Sequence, residues 1–262
     1  MTGSPGGVNT PPLVLIAARM SSQRLPGKTL MQFGHDTLLG HVVSAASHAQ
    51  CTSGVIVVTS VHPSDDPIVE WCTSTRIPYW RGPLDDVASR MTGAARHYGA
   101  DGFVRISGDS PMLDPAIVAH ASALFSSGSY DLVTNVNPRA FPPGQSVEVV
   151  RTSVLTALLH GGDVTQDDRE HVTPVLYRRL DQLEVRRYGP VDISGPQPSR
   201  HADGDFTDIS LTIDTAEDAA RFRAILEGLK GEPAWCQGWH RCVELTRQAS
   251  LRATSTTGEA RD

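Results

Sequence analysis

Six consecutive apolar residues, LVLIAA at positions 13–18, limit the folds that are open to this chain. The run is too short for a helix of ordinary length, and it lacks the alternation of a strand with one exposed face. It therefore predicts a strand that is buried on both faces, and such strands occur in parallel sheets covered by helices on both sides. We expect an α/β protein with a mostly parallel sheet.

The segment after this strand, residues 19–28, combines three cations, Arg19, Arg24 and Lys28, with serines and a Pro-Gly turn. In a doubly wound sheet the loop after the first strand commonly receives nucleotide phosphates, with which Arg and Lys form charge-assisted hydrogen bonds. The loop is also longer than the ~2–6 residues that usually link a strand to a helix. A phosphate-binding loop is predicted, and the alternative is a basic surface loop.

Further apolar segments continue the alternation of strands and helices. The predicted strands are 55–59, 77–80, 102–107, 130–135, 146–150 and 209–213, and the predicted helices include 37–49, 65–75, 87–98, 116–125 and 216–229. Ends rich in Gly, Pro, Ser and Thr predict flexible tails at 1–11 and 251–262. Between them we expect a single domain over 12–250.

Residues 15–28, LIAARMSSQRLPGK, resemble the opening motif of the cytidylyltransferases that make CMP-activated sugars. The likeness is greatest to the spore-coat polysaccharide group, which reads ARM-S-S-x-RLPGK. It implies a Rossmann-like, GT-A-like nucleotidyltransferase fold, with a small inserted acceptor and dimerisation region at about 138–205, and a homodimer. It also implies catalysis by Arg19, Arg24 and Lys28, and CTP binding by Ala17, Ala18, Arg19, Ser22, Arg24, Lys28, Arg81, Ser107 and Gly108.

Two aspartates are candidate metal ligands. Asp109 directly follows a predicted central strand, where a carboxylate suits a hard divalent cation. The segment resembles the G-D-E-P motif of CMP-Kdo synthetases, whose aspartate binds Mg²⁺. Asp214 stands in DTAED, which resembles the closing D-T-x-E-D motif of the spore-coat group and implies a second ligand. Thr215 and Asp218 also fit a capping box at a helix start, and Asp114 is expected to cap another helix.

The acceptor site is less defined by the sequence. Gly144 and Glu148 fit the family pattern P-x-G-x-x-x-E, which implies a place in the acceptor pocket. Arg169 and His171 lie in or beside an E-H-V-T segment, where Glu170 and His171 belong either to the pocket or to a dimer interface. Arg139, Arg169 and Arg200 are candidates for a clamp on an acidic group. In RGPLDDV, from residue 81, Asp85 either caps a helix or lies near the nucleotide. The basic cluster at 178–187 is either a solvated face or an anion site.

Composition excludes several classes of protein. The net charge of −6 argues against a protein that binds duplex nucleic acid. No apolar run approaches the ~20 residues of a membrane span, and the N-terminal residues have no signal-peptide pattern, so a cytoplasmic protein is expected. The four cysteines lack metal-ligand spacing and are expected to be free thiols.

These observations predict a CTP-dependent, Mg²⁺-dependent cytidylyltransferase that transfers CMP to a small acidic acceptor, either a sugar acid or a small phosphonate. A non-catalytic nucleotide-sensing module is the first alternative, and it would be expected to lack Lys28 or one of the metal aspartates. A glycosyltransferase that uses nucleotide sugars is the second, and it would be expected to lack the R-L-P-G-K loop.

Overall fold

A computed structural model describes residues 10–194 and 209–258. Within them the strands are β1 (Leu13–Ala17), β2 (Gln32–Phe33), β3 (Asp36–Thr37), β4 (Val55–Ser60), β5 (Tyr79–Gly82), β6 (Gly102–Ser107), β7 (Leu132–Thr134), β8 (Glu148–Arg151) and β9 (Val185–Arg187). The α-helices are α1 (Leu38–Ser47), α2 (Asp66–Thr75), α3 (Val87–His97), α4 (Pro115–Ser127), α5 (Thr152–Leu159), α6 (Gln166–His171), α7 (Pro174–Tyr177), α8 (Pro190–Ser194), α9 (Ala216–Gly228) and α10 (Gly238–Gly258). None of the helices in these residues is long and apolar enough to cross a membrane.

Seven strands form one sheet in the order β5-β4-β1-β6-β8-β7-β9. β1 lies near its middle and pairs in parallel with β4 on one side and with β6 on the other. Only β8 runs antiparallel to its neighbours β6 and β7. The predicted doubly wound, mostly parallel α/β sheet is confirmed, and the carboxyl ends of β1, β4 and β6 meet at one edge.

The core lies on both faces of this sheet, as the unbroken apolar run of β1 requires. Val14 and Ile16 pack with α1, α4, α9 and α10 on one face. Leu13 and Leu15 pack with α3, α5 and α7 on the other. Both sets are buried, so β1 is a rigid base for the loop that follows it.

Three local predictions were wrong. Residues 209–213 form no strand, although Ile209, Leu211 and Ile213 are buried. Their alternation reflects an extended segment with one buried side. The backbone N–H groups of this segment donate to the carbonyls of Pro143 and Asp109 instead of pairing with a strand of the sheet. Residues 251–258 continue α10 instead of starting a flexible tail, although only the first three of them, Leu, Arg and Ala, are good helix formers.

The third correction concerns α3, which Asp86 caps by accepting a hydrogen bond from the Ser89 N–H at 2.8 Å. Asp85, for which capping was one of two alternatives, precedes Asp86 and is exposed, so the capping alternative was wrong. The capping predicted for Asp114 is confirmed, because its carboxylate accepts from the Ala116 N–H at 2.8 Å.

The region expected to be an insertion, 138–205, contributes β8 and β9 to the main sheet. The division into one domain with an acceptor and dimerisation region stays a prediction. Arg200 and the predicted tail residues 1–9 and 259–262 lie outside the described residues.

Candidate active site

The basic loop after β1 is anchored at both of its ends. The Met20 N–H donates to the buried Asp65 carboxylate at 2.8 Å, and Ser60 at the end of β4 donates its hydroxyl to the same carboxylate at 2.5 Å. At the other end the Thr29 hydroxyl donates to the Arg19 carbonyl at 2.6 Å. The loop that carries Arg19, Arg24 and Lys28 is thus held against the carboxyl edge of the sheet.

The ends of β1 and β6 lie in close contact at Gly108. Its N–H donates to the Ala17 carbonyl at 2.9 Å. A Cβ atom added at Gly108 would stand 2.7 Å from that carbonyl oxygen, closer than Cβ atoms approach such neighbours. The absence of a side chain therefore allows the two strand ends, and the residues that follow them, to come together.

We expect Gly108→Ala to lower the free energy of unfolding by about 1–3 kcal/mol, since the methyl group forces the two strand ends apart. Urea denaturation measures this change. Gly162→Ala is the matched control, because a Cβ there meets nothing within 4 Å. Equal unfolding midpoints for the two variants would contradict the close approach at Gly108.

Asp109 and Asp214 are brought together by a backbone hydrogen bond. The Ile213 N–H donates to the Asp109 carbonyl at 2.9 Å, so the segment before α9 lies along the residues that follow β6. Asp218 then fixes Asp214, because its carboxylate accepts from the Asp214 N–H at 3.0 Å within the capping box of α9. The predicted capping box is confirmed, and it places a carboxylate beside Asp109.

Lys28 lies between the two carboxylates. Its Nζ is 3.1 Å from Asp109 Oδ2 and 2.8 Å from Asp214 Oδ1, and it donates to the Ile213 carbonyl at 2.8 Å. Arg24 adds a second cation 3.1 Å from Asp214 Oδ1. Burial raises the pKa of Asp214, but the hydrogen bond and charge of Lys28, with smaller contributions from Thr212 and Arg24, together lower the pKa below its usual range. Both carboxylates are therefore in position to bind a cation.

The donor set at this point fits Mg²⁺. The ion is commonly held by one or two protein carboxylates together with phosphate oxygens of the substrate and water. Asp109 and Asp214 already converge on one cation, the Lys28 ammonium group. In the parts of the chain that the structure describes, no group of three or more His, Cys, Asp and Glu side chains is placed to hold a metal by itself. The pair therefore suits an ion that arrives with a phosphorylated ligand.

A cleft of about 910 Å³ opens above these residues. The predicted nucleotide, metal and acceptor residues that line it are Ala17, Ala18, Arg19, Ser22, Arg24, Lys28, Ser107, Gly108, Asp109, His171 and Asp214. Its volume is in the range of sites that enclose a small ligand or cofactor. The loop, the β6 end and the closing acidic motif thus contribute to one site, as parallel strands that end at one edge require.

Other predicted residues do not line this cleft. Arg81 donates to the Ser60 carbonyl at 2.7 Å and to Asp66 at 2.7 Å, so α2 holds it beside the cleft. Gly144 has a φ of +95° and packs against the backbone of Leu211, where a Cβ would stand 2.8 Å from the carbonyl carbon. Gly144 thus fixes the loop before β8, and the structure gives it a packing role.

Three predicted acceptor residues also lie outside the lining. Arg139 donates to the Ser146 hydroxyl at 3.0 Å. Arg169 donates to Asp86 at 2.5 Å and so joins α6 to the start of α3. Glu148 is buried beneath the cleft. Each of these side chains has a protein partner, and none of them is part of the cleft lining.

Two arginines in the lining, Arg90 and Arg105, were not among the predicted site residues. Arg90 is buried in α3, and burial lowers its pKa. Arg105 projects from β6 and is paired with Glu148. The signal for Arg105 was present in GFVRIS, where one cation interrupts an otherwise apolar strand. Arg90 gives no such signal, because a cation on a helix is ordinarily exposed.

Helix α6 forms one wall of the cleft. Glu170 and His171 line it, and the Glu170 carboxylate is 3.2 Å from an Arg19 nitrogen. Both residues therefore line the cleft, and the interface role that the sequence left open stays a prediction. They stand at the end of α6.

Asp168 holds α6 in place. Two nitrogens of Arg178 donate to its carboxylate at 2.6 and 2.5 Å, and Thr165 donates its N–H and hydroxyl, each at 2.8 Å. The hydrogen bonds from Arg178 hold the pKa of the buried Asp168 far below its usual range, against the opposing effect of burial. A carboxyl group with a lowered pKa stabilises the folded state above its unfolded pKa and loses this effect as the pH falls.

We expect Asp168→Asn to cost about 1–3 kcal/mol of unfolding free energy at neutral pH, since hydrogen bonds to a charged group are lost. The difference from the unaltered protein should be full above about pH 4 and shrink as the pH falls below it, because the unfolded carboxyl then binds a proton that the folded one does not. Urea denaturation from pH 7 to pH 3 measures this. Asp167→Asn, at an exposed neighbouring carboxylate, serves as the control, and a pH-independent difference for Asp168→Asn would contradict the assignment.

The fold and this site define a nucleotidyltransferase. The chain belongs to the cytidylyltransferase family, because the family model described as cytidylyltransferase matches residues 13–238. The resemblance inferred from the sequence motifs is thereby confirmed, and the match covers every element that lines the cleft.

Individual relatives agree with this membership. The spore coat polysaccharide biosynthesis protein SpsF of Bacillus subtilis is 29% identical over 227 residues, which cover 82% of this chain and 86% of that protein. A 3-deoxy-manno-octulosonate cytidylyltransferase of Methylobacterium radiotolerans is 27% identical over 246 residues, which cover 83% and 97%. The solved structure of a cytidylyltransferase from Leptospira borgpetersenii has a TM-score of 0.76 at 24% identity and covers 94% of this chain and 96% of its own. It shows the same fold.

Proposed function

We propose that this cytidylyltransferase uses CTP and Mg²⁺ to transfer CMP to a small acidic acceptor, with release of pyrophosphate. The observation that carries the proposal is the convergence of Lys28, Asp109 and Asp214 in one cleft, beside the basic loop after β1. In this arrangement the cations can bind phosphate groups, and the two carboxylates beside them can bind a divalent cation. Membership of the family supports CTP as the donor.

The reaction is an in-line attack of an acceptor oxygen on the α-phosphate of CTP. Asp109 and Asp214 would hold Mg²⁺, which would supply charge neutralisation at the phosphate oxygens. Arg19, Arg24 and Lys28 bind the triphosphate and stabilise the charge that develops on the departing pyrophosphate. Each of these cations exchanges a carboxylate partner for a phosphate oxygen, since Glu170, Asp109 and Asp214 accept from them without ligand.

The acceptor class rests on the relatives and on the charge of the cleft. The Methylobacterium relative is named for a sugar acid, 3-deoxy-manno-octulosonate. The cleft lining carries five cations, Arg19, Arg24, Lys28, Arg90 and Arg105, and three carboxylates, Asp109, Glu170 and Asp214. This excess of positive charge favours anionic ligands. Sugar acids and small phosphonates are therefore the two acceptor classes to compare.

The direct test is pyrophosphate release with Mg²⁺, each of the four ribonucleoside triphosphates, and a panel of keto-sugar acids, sugar phosphates and small phosphonates. Release with CTP and one class of acceptor supports the proposal. Tight CTP binding without release from any pair would instead support a nucleotide-sensing module. Transfer from a nucleotide sugar without pyrophosphate release would support a glycosyltransferase.

A homodimer, with an interface within about 138–205, is part of the proposal. Sedimentation equilibrium measures the mass directly, against the 28.2 kDa of one chain. A monomer at all accessible concentrations would contradict this part and leave the proposed reaction unaffected.

A further inference from the structure

Arg105 occupies a position that its neighbours in the sheet define. It lies on β6 directly opposite Glu148 of β8, in the antiparallel register of these two strands. Thr134 of β7 lies opposite Glu148 on its other side. Because residues in register share one face of a sheet, a polar row crosses the face that α3, α5 and α7 cover. The row begins at the cleft, which Arg105 lines.

Glu148 is a buried carboxylate with a complete set of donors. Its side chain is only 2% exposed. One oxygen accepts from Arg105 Nη1 at 2.9 Å and from the Thr173 hydroxyl at 3.3 Å, and the other accepts from the Tyr177 hydroxyl. Burial of a carboxylate is costly unless it is paired and hydrogen-bonded. The geometry of these partners is therefore strongly constrained.

Tyr177 is a fixed hydrogen-bond donor in this network. Burial raises the pKa of its hydroxyl, and the charge and hydrogen bond of Glu148 raise it further. Thr134 lies 2.9 Å from the same hydroxyl. Since the phenol stays protonated at physiological pH, it donates to Glu148 throughout, and Glu148 keeps its other oxygen for Arg105 and Thr173.

Arg105 is left with donors to spare. In the described parts of the chain, Glu148 alone accepts a hydrogen bond from it, whereas a guanidinium group has five N–H donors. Its side chain is 26% exposed and lines the cleft. The group is planar, permanently charged and suited to bidentate bonds with a carboxylate or phosphonate. A pre-oriented donor fork of this kind fits a small anion.

The other cations near the cleft are less suited to this role. Arg19, Arg24 and Lys28 belong to the basic loop and bind the triphosphate in the proposed reaction. Arg90 is 1% exposed, so its guanidinium group is enclosed. Arg169 does not line the cleft, and it joins α6 to the start of α3 through Asp86. Arg105 is the accessible cation on the β6 side of the cleft, beyond the loop.

We propose that Arg105, held in position by Glu148 and Tyr177, binds the anionic group of the acceptor and thereby selects acidic acceptors. This assignment rests on the proposed cytidylyl transfer and names the residue that recognises the acceptor. Carboxylate and phosphonate acceptors share the chemistry that Arg105 recognises. Glu148 is a positioning residue, because it is buried and acts through Arg105.

The test measures acceptor binding and CTP binding separately by calorimetry. A non-hydrolysable α,β-methylene analogue of CTP is titrated first with Mg²⁺. The saturated complex is then titrated with 3-deoxy-manno-octulosonate, its uncharged methyl ester, and phosphonoacetate as probes. The unaltered protein is expected to bind at least one of the two anionic probes. If it binds 3-deoxy-manno-octulosonate, it should bind the methyl ester at least about tenfold more weakly.

The principal variant is the double substitution Arg105→Met with Glu148→Gln. It removes both charges at once, so no buried carboxylate is left unpaired and the fold is retained. We expect the analogue to bind as before, while the preferred anionic probe binds at least about tenfold more weakly. Arg105→Lys keeps the charge without the planar fork and should give an intermediate loss.

The matched control is Arg151→Met with Asp131→Asn. This pair has a nitrogen–oxygen distance of 3.6 Å, and Arg151 is 20% exposed, close to the 26% of Arg105, but the pair lies outside the cleft lining. The control should bind all probes as the unaltered protein does. If the principal variant binds the anionic probe as tightly as the unaltered protein does, the role of Arg105 is overturned. The role is also overturned if the unaltered protein binds the analogue but neither anion. Failure to bind the analogue would instead overturn the proposed function, and with it this inference.

Discussion

Replacement of Lys28 by alanine is expected to lower CTP-dependent pyrophosphate release by about 10²–10³-fold without unfolding the protein. The Lys28 side chain is 12% exposed, so its charge acts in a partly desolvated site. In the proposed reaction this charge moves from two aspartates to the phosphate groups, where it stabilises the transition state. The rate with saturating CTP and Mg²⁺ measures the effect.

Lys230→Ala is the matched control for this experiment. Lys230 is the other lysine of the chain and is exposed at the end of α9, outside the cleft lining. It should retain the rate of the unaltered protein. Near-normal pyrophosphate release by Lys28→Ala, with CTP as the donor, would contradict the catalytic role.

Asp109→Asn should reduce the rate by a similar factor, about 10²–10³-fold, because a neutral amide binds Mg²⁺ far less well than a carboxylate. The variant should also need a higher Mg²⁺ concentration for its residual activity. A titration of rate against Mg²⁺ separates these two effects. A chelator should abolish activity in the unaltered protein, and added Mg²⁺ should restore it.

Asp114→Asn is the control for the metal site. Asp114 stands five positions after Asp109, in the same segment, but it caps α4 and also accepts from the Trp239 N–H at 3.1 Å. Asparagine caps helices about as well as aspartate, so the fold and the Mg²⁺ dependence should be unchanged. An unchanged Mg²⁺ titration for Asp109→Asn would show that this carboxylate does not hold the ion.

Local sequence patterns predicted much of the sheet. The apolar runs of β1 and β4 specify buried strands by themselves, and the polar residues after β1 and β6 then meet because parallel strands end at one edge. The likeness of the motifs to the cytidylyltransferase family identified Lys28, Asp109 and Asp214, which the structure brings into direct contact.

Features that depend on distant partners were not predictable in this way. The pairing of Arg105 with Glu148 spans 43 positions and depends on the antiparallel insertion of β8 beside β6. The likeness to the spore-coat group implied that Arg81 binds the nucleotide, but Arg81 donates to Ser60 and Asp66 instead of lining the cleft. The alternation at 209–213 correctly predicted that one side of the segment is buried. It could not predict the hydrogen-bonding partner, because an extended segment buries one side with or without a neighbouring strand.

The position of Lys28 between Asp109 and Asp214 has a consequence for the order and affinity of ligand binding. Without ligands, Lys28 and Arg24 compensate the charges of Asp109 and Asp214. A triphosphate that draws the two cations away leaves two uncompensated carboxylates, and Mg²⁺ that occupies the carboxylates leaves the cations uncompensated. Each ligand therefore removes an obstacle to the other, and thermodynamic reciprocity requires that both gain affinity by the same factor. The site should respond to the magnesium complex of its nucleotide far more strongly than to either component alone.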